Sequence, residues 1–191
     1  MRLFVALELP GDLRETLVDF IAQLKPLCRG ARWVRPEGMH VTLKFIGHAI
    51  ADADAEKFAA ARAALATIES AAPVDIRYRG TGFFPNARRP SVFWCGMQAS
   101  ANLAPLVADI EQALERLGIP REARAFVPHL TLARFKTPEG VSALARAAEE
   151  FAERDFGSAS ESEFHLFKSK LKPSGAEHRK IESYAFVKQA A

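Results

Sequence analysis

One short pattern occurs twice in the sequence, and each copy places an imidazole two residues before a hydroxyl. His40 and Thr42 belong to the string HVTL, and His129 and Thr131 belong to HLTL. Side chains at positions i and i+2 of a β-strand project from the same face. Two histidines that face each other across a cleft could serve as acid and base at a phosphate ester, with hydroxyls beside them for its oxygens. Ordinary histidine pKa values of ~6.5 would let one neutral and one charged ring coexist near neutrality.

Two other uses of these histidines compete with acid-base catalysis. A single histidine on a strand is usually structural or merely exposed, but core packing does not explain why the polar pair is repeated. A catalytic zinc site needs three protein ligands, and His40 and His48 lie eight positions apart on a strand, too far to share one ion. The sequence therefore predicts two catalytic histidines and no metal.

Strict alternation along the two strands predicts which neighbours share a face with the histidines. On the first strand, the face of His40 would also carry Thr42, Lys44, Ile46 and His48. On the second strand His129 and Thr131 would share a face with Ala133, whereas Arg134 would project from the opposite face. The polar faces are the candidates for a cleft.

The hydrophobic periodicity predicts alternating strands and helices throughout the chain. Strands are expected at 2–9, 32–34, 41–47, 74–84, 91–98, 126–135, 162–167 and 181–187, and helices beginning near 12, 52 to 54, 100 and 137. Thr137 is the expected cap of the last helix, with Pro138 in its first turn. We expect an α+β fold: one bilobal domain over residues 1–191, with two pseudo-symmetric, largely antiparallel sheets, helices on their outer faces and a cleft between them.

Composition and charge fit a globular enzyme that acts on an anion. The chain has 191 residues, of which 49% are hydrophobic, and its net charge of +3 is concentrated in the basic segments 29–48, 76–98, 121–136 and 165–180. These segments predict either solvated faces or a basic cleft for a polyanion. Cys28 and Cys95 are expected to be buried thiols. The short apolar N-terminus is interrupted by Glu8, so we expect a cytoplasmic protein without a membrane span.

Five strings together resemble the 2H phosphoesterase family, in particular its branch of RNA 2′,3′-cyclic phosphodiesterases, historically called 2′-5′ RNA ligases. They are RLFVALELP, MHVTLKFIG, GTGFFPNARRP, PHLTLARF and LFKSKLKPSGA. The resemblance covers nearly the whole chain. It implies a bilobal α+β fold with the active site between the lobes and no metal or other cofactor. Relatives often carry an aromatic residue near the position of His178.

The resemblance also implies a role for each residue of the two motifs. His40 would protonate the departing 3′ oxygen and His129 would deprotonate the attacking water, which leaves a 2′-phosphomonoester. Thr42 and Thr131 would hold the nonbridging oxygens, and Arg134 would add a cation to the phosphate. Because alternation turns Arg134 away from His129, this last role requires a bulge or a strand end.

The expected substrates are RNA or nucleotides with 2′,3′-cyclic phosphate ends, bound by a monomer. Arg88 and Arg89, in the connection 85–90, are candidates for contacts to flanking phosphates or are solvated loop charges. The same histidines would also serve 2′-5′ ligation or another cyclic phosphodiester. The alternative from another class is a non-catalytic RNA-binding module in which Trp33, Phe83 and Phe84 stack on bases.

Overall fold

The computed structural model describes residues 1–137, 140–172 and 175–187, which form two antiparallel sheets. The first sheet has the order β3-β1-β8-β9, with β1 at Leu3–Leu7, β3 at Val41–Gly47, β8 at Glu163–Lys172 and β9 at Gly175–Ala185. The second has the order β2-β6-β5-β4-β7, with β2 at Arg32–Trp33, β4 at Val74–Phe84, β5 at Val92–Ala99, β6 at His129–Arg134 and β7 at Asp155–Glu161. Each sheet thus contains one of the two motif strands.

Four helices back the two sheets. They are α1 at Gly11–Leu24, α2 at Ala55–Leu65, α3 at Leu103–Glu115 and α4 at Val141–Glu150. Helix α3 packs on β3 and on α2, whereas α1 contacts β7 and α4 contacts β4. This arrangement confirms the predicted α+β fold with antiparallel sheets. Helix α4 begins after Gly140, so the predicted cap at Thr137 is wrong; Pro138 lies outside the described residues.

The two faces of the first sheet bury different sets of side chains. Leu3, Val5 and Leu7 point from β1 into the main core. The alternate residues Phe4 and Ala6 form a separate cluster with Phe167 of β8 on the other face. The first sheet therefore has an aromatic patch on the side away from the main core.

Strand β7 was missed by the sequence analysis. It is an edge strand that buries only Phe156 and Ala159 among its residues, so it carries too little apolar alternation to be recognised. The strand predicted at 162–167 was also ended too early, and the one predicted at 181–187 was begun too late. Lys168–Lys172 continue β8 and Gly175 opens β9, in a hairpin arm whose exposed charges hide the strand pattern.

The two cysteines, Cys28 and Cys95, are buried, as the sequence predicts. Burial raises the pKa of the Cys95 thiol to about 12. Within the described ranges, no helix has the length and apolar character needed to cross a membrane.

Candidate active site

A β-bulge follows the first motif and changes the predicted alternation. Thr42 pairs with Ala6 of β1 and Lys44 pairs with Val5, which leaves Leu43 as an extra residue on β3. After a bulge the following side chains exchange faces. Lys44 therefore points into the core, and Phe45 takes the position on the cleft face, where it pairs with Phe4.

The predicted placement of Lys44 and Ile46 on the cleft face is thus wrong. Ile46 is buried at 4% exposure, and Lys44 at 1%. The Lys44 ammonium lies 2.7 Å from Glu111 of α3 and donates to the Pro120 carbonyl at 2.6 Å. These contacts satisfy the buried charge and join β3 to the segment that leads towards β6.

The second motif strand has a bulge at the equivalent place. Thr131 pairs with Trp94 of β5 and Ala133 pairs with Phe93, so Leu132 is the extra residue. Arg134 consequently projects from the same face of β6 as His129 and Thr131. The geometric requirement for a phosphate-binding role of Arg134 is met in this structure, although alternation alone would have placed its side chain on the opposite face.

His40 lies at the end of a stack of aromatic rings on the first sheet. Its ring is 4.6 Å from that of Phe4 with planes inclined by 28°, and Phe4 stacks on Phe167 at 5.1 Å. His178 of β9 meets the His40 ring edge-on at 5.0 Å. The rings of His40, Phe167 and His178 line a cavity of about 210 Å³, together with Glu8, Arg14, Glu37 and Met39.

This environment makes His40 a weak base in the free protein. Burial lowers its pKa to about 3, with further lowering from His178 and Arg134, while a hydrogen bond with the Gly38 backbone acts in the opposite direction. The expectation of an ordinary pKa near 6.5 is therefore wrong for His40 in this structure. A ring in this setting needs a nearby anion to become protonated near neutral pH.

His129 is oriented by the backbone two residues before it. Its Nδ1 lies 2.9 Å from the Val127 carbonyl oxygen. A carbonyl can only accept, so Nδ1 carries the proton and Nε2 presents a lone pair. The Phe84 ring stands perpendicular to the imidazole at 4.9 Å. Burial lowers the pKa of His129, with a smaller lowering from Arg134.

Arg134 is electrostatically close to both histidines. Its charge lowers the pKa of His40, on the first sheet's side, and that of His129 on its own strand. The strands β3 and β6 also contact each other. The two motif strands therefore lie next to each other, with the half-buried Thr42 and Thr131 on them. The residues that line the cavity beside His40 do not include His129 or Arg134.

The other sequence candidates lie farther from this group or at its edge. Arg88 and Arg89 are exposed in the turn between β4 and β5, where their backbone amides bind the Asn86 side chain. Phe84, at the start of that turn, contacts His129. Phe83 and Trp33 instead pack against the core beside Phe93.

Two residues of the site were missed or undervalued by sequence reasoning. Trp94 lies on the cleft face between two glycines: a Cβ at Gly82 would come within 2.2 Å of its ring, and one at Gly96 within 3.4 Å. Gly96, two positions after Trp94, could have indicated this placement, because a glycine inside a strand often marks the close approach of another group. Arg2, immediately before β1, lowers the pKa values of Arg134 and His178 and adds a second cation.

Side chains that commonly bind metals are not grouped in this site. Across residues 1–137, 140–172 and 175–187, no group of three or more His, Cys, Asp or Glu side chains could hold a metal ion. What the described site offers is a pair of imidazoles, two hydroxyls and at least one guanidinium.

Comparison with known proteins places this geometry in a family. The chain is 32% identical to the RNA 2′,3′-cyclic phosphodiesterase of Methanocaldococcus jannaschii over 96% of its own length and all of that protein. It superposes on the crystal structure of TT0787 of Thermus thermophilus with a TM-score of 0.76 and 31% identity, covering 97% and 98% of the two chains. The structure of E. coli LigT complexed with 3′-AMP gives a TM-score of 0.75 at 25% identity over 97% of each chain. The family description "2′-5′ RNA ligase superfamily" matches residues 13–172, and the chain belongs to that superfamily.

Proposed function

We propose that this protein hydrolyses the 2′,3′-cyclic phosphate ends of RNA or nucleotides to 2′-phosphomonoesters, with His40 and His129 as acid and base and without a metal. The observation that carries the proposal is that the bulge at Leu132 turns Arg134 onto the face of His129, on a strand in contact with β3. The charge of Arg134 acts on both imidazoles. A phosphate bound to that guanidinium would have one histidine on each side. Hydrolysis of a phosphodiester needs a proton acceptor and a proton donor in such opposed positions.

His129 is suited to accept the proton of the attacking water. Its Nδ1 donates to the Val127 carbonyl, so Nε2 is free of a proton and can act as the base. Burial lowers its pKa and keeps the neutral form populated at physiological pH. As the water oxygen attacks phosphorus, its proton would move to Nε2 and the bond to the 3′ oxygen would break.

His40 is suited to protonate that 3′ oxygen once the substrate is bound. In the free site its pKa is about 3, because the ring is buried beside His178 and Arg134. A cyclic phosphodiester carries one negative charge, and an adjacent anion stabilises the imidazolium. Substrate binding would thereby raise the pKa of His40, so that the ring becomes protonated next to the leaving 3′ oxygen.

The remaining groups would hold the phosphate and stabilise its developing charge. Arg134 can donate two hydrogen bonds to one phosphate, and Thr42 and Thr131 lie on the same faces as the histidines beside them. Preorganised donors of this kind usually contribute ~10²–10³-fold to the rate. The five-membered cyclic ester contributes its own ring strain, so the protein mainly positions water and transfers two protons.

The known relatives support the choice of substrate. The Methanocaldococcus relative carries the name RNA 2′,3′-cyclic phosphodiesterase and aligns along nearly the whole chain. The E. coli structure was obtained with the nucleotide 3′-AMP. A nucleotide with a 2′,3′-cyclic phosphate is therefore the substrate that agrees both with these relatives and with a site of two histidines.

The proposal is tested by identifying the product of the purified protein. Adenosine 2′,3′-cyclic phosphate is incubated with the protein in EDTA, and ³¹P NMR distinguishes 2′-AMP from 3′-AMP. We expect 2′-AMP as the main product at a rate that EDTA does not change. A preparation of His129→Ala is the matched control for contaminating nucleases. Formation of 3′-AMP, or turnover that EDTA stops and a divalent ion restores, would contradict the proposal.

A further inference from the structure

His178 contacts the proposed proton donor from a strand on the far edge of the first sheet. On β9 it pairs with Ser169 of β8, and the cleft face of this pair continues to Phe4 of β1. The small Ser169 side chain leaves room for the imidazole to reach Phe4 at 5.1 Å and His40 at 5.0 Å, edge-on in both cases. The His178 ring thus packs edge-on against the stacked rings of Phe4 and His40.

The same ring also packs against the segment that anchors His40. A Cβ on Gly38 would lie 3.9 Å from Cδ2 and 4.0 Å from Nε2 of His178. Gly38 ends the short 3₁₀ helix Pro36–Gly38, and its backbone hydrogen-bonds to the His40 ring. His178 therefore contacts the imidazole and lies beside Gly38, whose backbone orients that ring.

We propose that His178 is a positioning residue for His40. It holds the donor ring between Phe4 and the Gly38 backbone, and as a second basic ring in contact it restricts the charged donor to the state in which an anionic phosphate is bound. This inference rests on the proposed function for its catalytic consequence, but its electrostatic part concerns the free protein. The proposal explains why a histidine stands at position 178, near which relatives often carry an aromatic residue.

The charges around the pair explain why a second imidazole matters. The groups that face the two rings are Arg2 before β1, Glu8 after it, Arg14 of α1, Glu37 of the 3₁₀ helix and Arg134 of β6. Burial lowers the pKa of His178, with a further lowering from Arg2. Burial also lowers the pKa of His40, followed by His178 and then by Arg134. Nδ1 of His178 is buried without a hydrogen-bond partner in this structure. A charge on this ring, 5.0 Å from that of His40, opposes protonation of His40.

Two substitutions separate packing from basicity. His178→Phe keeps an aromatic ring against His40 and removes its nitrogens, whereas His178→Ala removes the ring. In His178→Phe we expect the pKa of His40, followed by NMR of its Cε1–H in the free protein, to rise by about half a unit or more. In His178→Ala we expect kcat for adenosine 2′,3′-cyclic phosphate to fall ~10- to 100-fold, since small displacements of a catalytic group are costly. His178→Phe should retain most of that rate.

The control is His48→Phe, which replaces an exposed histidine in the turn after β3 and should alter neither quantity. An unchanged His40 titration in His178→Phe would overturn the proposal, as would a kcat in His178→Ala within twofold of the wild-type value. The titration needs no turnover. If the wild-type protein failed to hydrolyse the cyclic nucleotide, the NMR measurement would still decide the contact between the two histidines.

Discussion

Leu132 is the unpaired residue that turns Arg134 onto the same face of β6 as His129. Leu43 has the equivalent position after the first motif and turns Phe45 towards the cleft. The two motif strands therefore share a histidine, a threonine two residues later and a bulged leucine, but their next cleft-facing residues differ. One half of the site presents an aromatic ring there and the other half presents the guanidinium that binds the phosphate in our proposal.

Replacing that guanidinium should weaken catalysis and move its pH dependence. We expect Arg134→Gln to lower kcat/KM for a 2′,3′-cyclic nucleotide by ~10²–10³-fold, as for other lost transition-state donors. Because Arg134 lowers the pKa values of His40 and His129, its removal should also shift the kcat/KM profile to higher pH. Arg146→Gln, on the exposed side of α4, is the matched control. A loss smaller than about fivefold would remove Arg134 from the proposed phosphate site.

The profiles of kcat/KM and kcat against pH should differ in position. In the proposed mechanism the active form has His40 protonated and His129 neutral, and burial lowers the pKa of His40 to about 3. Above the pKa values of both groups, kcat/KM should decline with rising pH, because the protonated donor becomes scarce. The bound phosphate raises both pKa values, so the bell of kcat should lie at higher pH. If the pH profiles of kcat/KM and kcat coincided and were both centred near ~6.5, the pKa values of His40 and His129 would be those of ordinary histidines, which would contradict this prediction.

The buried pair of Lys44 and Glu111 should behave differently when one partner or both are replaced. Lys44→Met leaves the Glu111 carboxylate unpaired, which should cost about 3–5 kcal/mol in the free energy of unfolding measured with urea. Adding Glu111→Leu removes the orphaned charge and should recover most of that loss. Lys25→Met, at an exposed lysine, should change stability by no more than about 0.5 kcal/mol. Equal destabilisation in the single and double variants would mean that packing, rather than charge pairing, explains the effect.

Residue spacing along the chain correctly predicted that each histidine shares a strand face with the threonine two residues later. It did not predict the faces of the residues that follow. The step from His40 to Thr42 is two residues along the chain, so alternation correctly puts both on one face. The bulge at Leu43 depends on how β1 pairs with β3, which no local pattern encodes, and this is why Lys44 was placed on the wrong side. For Arg134 the sequence could state the requirement for a bulge but not its presence.

Contacts between distant strands were the other limit. His178 reaches His40 only because β9 lies in the same sheet as β1 and passes close to Gly38. The pKa of His40 depends on that contact and on burial, so reference values gave the wrong starting point. The Trp94 ring lies over Gly82 on the neighbouring strand, where a side chain would clash with it. This contact cannot be predicted without knowing that β4 and β5 are paired.

The central claim is that His40 and His129 act as one acid-base unit on a single phosphate. Its most direct test is the kcat of His40→Ala, His129→Ala and the double variant with adenosine 2′,3′-cyclic phosphate in EDTA, each checked for an unchanged circular dichroism spectrum. We predict that each single variant loses at least ~10²-fold in kcat and that the double variant loses little more than the worse single one. A single variant that keeps more than about a tenth of the wild-type rate, below the usual contribution of general acid-base catalysis, would contradict the assignment of that histidine.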